Sequence, residues 1–209
     1  MSGLRDRGRA LGYLAKWALL GVGLGTLGAC VSLGGGSAPG QLIRLTPEAS
    51  LPTGAERRGG APILVAEPVT DRALAVSRVA VQVDETRIAY LPDVAFVERP
   101  ARLFRGLLAE ALAVKGGAQG SGVVLEDDQA APIGARRLSG RLLMMGYDAR
   151  SHAVVVRYDA LWQGADGTLA ARRFEVTEPG IAPRAAAVAP ALNHAANAVA
   201  AQVAEWVAQ

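Results

Sequence analysis

The sequence predicts an α/β fold: a mixed, largely antiparallel β-sheet with two main helices packed against it, preceded by a signal peptide and a flexible tether. Three observations predict it. Between 138 and 177, apolar residues alternate with polar ones in runs separated by turn residues, the period of half-buried strands. Segments 100–115 and 190–207 instead repeat apolar residues every three or four positions, the period of a helix lying on a core. Upstream, a basic leader and an apolar run close on the chain's single cysteine.

The leader carries Arg5, Arg7, Arg9 and Lys16, and its apolar part runs from Trp17 to Leu27. As a helix that part spans roughly 16 Å at ~1.5 Å per residue, well short of the ~30 Å hydrocarbon layer. Leu27-Gly28-Ala29-Cys30 resembles the bacterial lipobox. The resemblance implies a diacylglycerol thioether on Cys30, cleavage before it, and an N-acyl lipid on the new terminus. Residues 1–29 are thus expected to be a lipoprotein signal peptide and 30–41 a lipidated tether. Val31, where an Asp would favour inner-membrane retention, favours the outer membrane over the inner, facing the periplasm. An uncleaved membrane helix from Leu11 to Leu33 is the alternative; its many glycines are poor helix formers. Gly23, Gly25 and Gly28 spell G-x-G-x-x-G, but a dinucleotide site needs a preceding strand and a following helix. Here the pattern lies in a segment expected to be removed.

The folded body is assigned to residues 42–209. Gly34 to Gly40 gives slack. Leu42 to Leu45 is a short strand, and Pro47 to Gly60 a loop with two prolines. Ile63-Leu64-Val65 is a short buried strand. Val79, Val81 and Val83 alternate, and Thr86 to Tyr90 either pairs with that strand or continues it past a bend at Asp84-Glu85. From Pro100 to Lys115, Leu103, Phe104, Leu107, Leu108 and Ala111 form one helical face, with Arg102, Arg105 and Glu110 turned away; Pro100 suits the first turn and Gly116-Gly117 ends it. Val123 to Leu125 returns as a strand. Leu138–Tyr147, His152–Gln163 and Leu169–Thr177 then read as an antiparallel meander, with Val154, Val156, Tyr158, Ala160 and Trp162 on its buried side. The last helix is expected to start at Pro190. Its stripe, Leu192, Ala196, Val199, Val203 and Trp206, is expected to lie on the domain's own sheet.

Composition excludes several functions. Residues 1–29 hold four of the 22 basic residues and one of the 19 acids, which leaves 18 of each. A neutral mature chain has no basic footprint for nucleic acid. No zinc-protease, Walker or nucleophile-elbow motif is present. Asp148, Ser151 and His152 imitate a triad, but triads converge from separated chain positions, and these three share one turn. Glu126-Asp127-Asp128 lacks the alternating ligands and glycine of a calcium loop. His194 has no acidic or histidine neighbour at i±4. An enzyme, a metal and a cofactor are therefore not expected, beyond the covalent lipid on Cys30.

The order of features resembles a known family. The lipobox leader and tether precede a strand ending in Glu67-Pro68, then Val79-Ala80-Val81, Ile88 to Phe96, a helix opened by Pro100, a long strand pair, and an alanine-rich helix ending in Trp206-Val207. This is similar to the ABC-type transport auxiliary lipoproteins, the family of the paraquat-inducible lipoprotein C, over roughly residues 42–207. Many relatives carry a Trp where this chain has Phe96. The resemblance implies a mixed sheet with helices packed on it, and a non-enzymatic role tethering a lipid-transport assembly to a membrane. The implied partners are an ATPase, a permease and a mammalian-cell-entry (MCE) domain protein, with a homo-oligomeric ring in some members. Arg102, Arg105 and the final helix are the candidate partner contacts. The rivals are a lipoprotein binding a small apolar ligand beside Leu143, Met144 and Met145, and a periplasmic hydrolase using His152.

Overall fold

The long strand β6 (Arg136–Asp148) organises the molecule. In the computed structural model, which describes residues 39–56, 61–116, 123–125 and 134–209, β6 has one edge zipped along its length to β7 (Ala153–Gln163), antiparallel. Its other edge is shared. The first half takes β2 (Ile63–Val65) in parallel, with Val65 opposite Leu138; the second half takes β3 (Arg78–Gln82) in parallel, with Ala80 opposite Gly146. From this fork, β5 (Val123–Leu125) pairs parallel with β2, β4 (Ile88–Phe96) antiparallel with β3, and β1 (Gln41–Ile43) parallel with β4. On the far side β8 (Leu169–Pro179) pairs antiparallel with β7, completing an open, mixed sheet of eight strands among the described residues. The expected fold class is observed.

Gly146 makes the fork possible. A Cβ there would lie 2.2 Å from the Ala80 carbonyl oxygen, so only glycine lets β3 come this close. A second device lies between Leu142 and Met144, where β6 carries one residue more than β7. A side-chain period of two means that one inserted residue reverses every later position. Leu138 and Leu142 point into the core before the bulge, and Met145 and Tyr147 after it.

Helices α1 (Pro100–Gly116) and α2 (Ala185–Val207) complete the core. Ala101, Phe104, Leu107, Leu108 and Leu112 are buried on α1, whereas Leu103 and Ala111 are only half-buried, so the inward face is rotated slightly from the expected one. α2 lies against β7, β8 and α1. Its stripe packs on the domain's own sheet as expected: Leu192, Ala196, Val199 and Val203 are fully buried, and half-buried Trp206 lies 5.7 Å from Phe174. Each fully buried leucine or valine contributes about 1.5–3 kcal/mol relative to exposure. Tyr158 meets Phe104 edge-to-face at 5.2 Å and donates to the Ser139 carbonyl at 2.8 Å. Burial pushes its hydroxyl pKa well above the usual phenol value.

Most strand ends fall within two residues of the sequence expectation, whereas α2 and β4 depart from it further. α2 starts at Ala185, and Pro190 lies inside it. In a helix interior, proline loses its own bond to the fourth residue back. Fully buried Val188 and the Arg184 carbonyl, which accepts from the Ala187 and Val188 amides at 3.0 Å, hold the turn before it. β4 pairs with β3 and runs on through Pro92 and Asp93 to Phe96. β3 advances from Arg78 to Ala80 while β4 advances from Tyr90 to Ala95, so the proline falls in a bulge where no ladder bond is required of it.

Candidate anchor and partner surface

Cys30, the 1–29 leader, the Glu126-Asp127-Asp128 run and most of the expected tether lie outside the described residues. The described chain enters at the sheet edge through β1 and then crosses the helices as a strap. The Thr46 amide donates to Asn193 Oδ1 at 2.7 Å and the Glu48 amide to Asn197 Oδ1 at 3.0 Å. Asn197 Nδ2 returns a bond to the Thr46 carbonyl at 2.9 Å, and the Leu51 amide donates to Glu110 Oε1 at 3.0 Å. His194 stands between Glu48, 3.2 Å from Nδ1, and Glu178, 3.6 Å from Nε2. Its acidic neighbours thus come from the strap and β8, not from its own helix. Sequence reasoning missed this strap. The available signal was Asn193 and Asn197, two amides one turn apart on an alanine-rich helix.

Arg102 is exposed, with Nη1 3.8 Å from Glu98, and Arg99 lies 3.6 Å from Glu67. Arg105 is half-buried, not fully solvent-facing as expected, because the helix face is rotated. These arginines crowd the N-terminal half of α1, whose first turn has no acidic residue. The helix dipole disfavours cations there; Glu98 and Glu67 offset it.

The other candidate clusters are not assembled. The Asp148 carboxylate accepts from the Arg150 amide at 2.9 Å, and the His152 ring lies 3.4 Å from the Tyr147 hydroxyl. Among the described residues, no hydrogen bond joins Asp148 or His152 to Ser151. No group of three or more His, Cys, Asp or Glu among the described residues could hold a metal. Met145 is fully buried in the core, so the three residues Leu143 to Met145 do not share a cleft. Leu143 and Met144 instead border a polar hollow of about 350 Å³ with Asp148, Arg150 and Arg157. A more apolar groove of about 280 Å³ lies between the helices, lined by Leu107, Ala111, Val114, Ala198 and Ala201. No described helix is long and apolar enough to cross a membrane.

The sheet face away from the helices is laced by charge pairs. Arg173 grips Asp159 with two bonds, at 2.6 and 2.8 Å, and Arg157 bonds Glu175. The bond from Arg173 holds the Asp159 carboxyl below its ordinary pKa, and the bond from Arg157 does the same for Glu175. A depressed folded pKa stabilises above the unfolded carboxylate value and is lost as pH falls through the folded one. The thermal midpoint should therefore drop between about pH 5 and pH 3, modestly because the pairs are exposed, and less at high salt. An Arg173→Ala, Glu175→Gln protein with an undiminished acid slope would remove these pairs as the cause.

An open mixed sheet, covered on one face by two helices and charge-paired on the other, defines a small two-layer α/β domain. The chain belongs to the ABC-type transport auxiliary lipoprotein component family, whose model matches residues 44–204. Among solved structures it is similar to protein XCC0632 from Xanthomonas campestris, at 16% identity and TM-score 0.61, covering 79% of this chain and 94% of that one. It is also similar to an uncharacterized protein at 16% identity and TM-score 0.58, covering 70% and 92%. These likenesses bear on the fold alone. No curated protein matches the sequence.

Proposed function

We propose that this chain is a non-enzymatic lipoprotein, anchored through Cys30 to the periplasmic face of a bacterial membrane, with the outer membrane favoured. There it couples an ABC-type lipid-transport assembly to that membrane. Family membership over residues 44–204 is the observation that carries this reading; Leu27-Gly28-Ala29-Cys30 supports the anchor. The domain supplies partner specificity, with Arg102 and Arg105 as its first contacts to test. The partners are an MCE-domain protein, a permease and an ATPase. Purification of the full chain by a C-terminal tag from its own bacterium should recover these three. Arg102→Glu combined with Arg105→Glu should lower that recovery about tenfold, as loss of about 1.4 kcal/mol of binding would. Recovery of none of the three would overturn the assignment.

The groove between α1 and α2 favours a second reading, in which the domain itself binds an apolar ligand. Lipid extracted from the purified Cys30→Ala protein, in stoichiometric amount, would support it.

A further inference from the structure

The strand β8 is eleven residues long and, among the described residues, pairs with β7 alone. The other described strands with a single described partner, β1 and β5, have three residues each. A long unpaired edge exposes a row of backbone donors and acceptors, and proteins commonly guard such edges with charge. Here the charges form a self-complementary pattern: Arg173 and Glu175 flank Phe174, the midpoint of the strand.

We propose that β8 is the seam of a two-fold dimer, in which two copies pair their β8 strands antiparallel about Phe174. A two-fold axis normal to the sheet keeps the same face up in both copies, so opposed residues share a face. Centring on Phe174 is the register that opposes all eleven residues of the strand. It sets Arg173 against the partner's Glu175, twice by symmetry. Centring on Arg173 or on Glu175 instead opposes identical charges, which destabilises a strand pair. The favoured register also joins two ladders already present. Asp159 holds Arg173 and Arg157 holds Glu175 on the same exposed face, so the charges alternate across the seam from one copy to the next. On the opposite face Arg172 falls diagonal to the partner's Glu178, within reach of a long side chain.

The partner is therefore a second copy of this chain, and its recognition is testable by charge exchange. Light scattering of the full chain in detergent should give twice the single-chain mass. Arg173→Glu alone and Glu175→Arg alone should each halve it, since each opposes like charges. Mixing the two variants in equal amounts should restore the doubled mass, because an all-acidic edge then meets an all-basic one. Circular dichroism of each variant reports folding. A second measurement avoids charge altogether: Ala171→Cys and Thr177→Cys, each in a Cys30→Ala background, should cross-link when mixed. Opposed Cα atoms in an antiparallel pair lie about 4.5–5.5 Å apart, inside the ~4.4–6.8 Å range of disulfides. A single-chain mass for the unaltered protein, an assembly whose mass neither charge variant changes, or absence of the cross-link would overturn the proposal.

Discussion

A Gly146→Ala protein is expected to unfold at distinctly lower urea than the parent, losing about 3 kcal/mol or more. Overpacking typically costs about 1–3 kcal/mol when flexible side chains can yield. Here the obstacle is the Ala80 carbonyl oxygen, 2.2 Å from where the new Cβ must sit. Ala80 belongs to the ladder that joins β3 to β6, so relief means parting the strands. That would loosen the whole β3–β4–β1 arm, and the strap leading on from it, from the rest of the sheet. Gly106→Ala is the control. It lies on the exposed side of α1, with nothing within 4 Å of an added Cβ. Alanine there should stabilise the helix by about 0.5–1 kcal/mol. Equal denaturation midpoints for Gly146→Ala and the parent would show that the fork tolerates separation.

The second large effect concerns attachment. On the proposed function, Cys30→Ala should abolish incorporation of labelled palmitate, move the chain from the membrane to the soluble fraction as precursor, and abolish transport, with an unchanged circular dichroism spectrum. Burial of acyl chain contributes about 0.8 kcal/mol per methylene, and one chain gives only marginal binding. Three chains make attachment permanent in practice, so their loss is close to all-or-none. Normal transport by the soluble, unlipidated protein would end the tether mechanism. Among the described residues the core begins at Ile43, after Cys30 in the chain.

The meander and both helices were legible because each is long enough for its apolar period to repeat. Val154, Val156, Tyr158 and Ala160 alternate four times, and all four are buried. The fork was not legible. Ile63-Leu64-Val65 and Arg78–Gln82 both pair with β6, and nothing local in either says which half of β6 it joins. The bulge at Leu143 was hidden for a related reason: it breaks the alternation in the middle of an apolar run, where Leu142, Leu143, Met144 and Met145 look interchangeable. Local rules placed the start of α2 at Pro190, but burial of Val188 carries the helix past that limit. Arg102 was legible as an exposed cation, and the half-burial of Arg105 followed from a rotation of α1 that its own pattern leaves open. The strap depends on two asparagine amides meeting backbone about 150 residues away, a match that no window of sequence contains.

That strap bears on how the molecule would carry load. In a protein held by its N-terminus, tension arrives first at β1, three residues zipped to β4. Were they to peel away, the pull would pass to Asn193 and Asn197, seated on the longer of the two described helices. Beyond them it would reach Glu110 on the other helix. The body is thus moored by a sacrificial outer hitch, backed by two inner cleats.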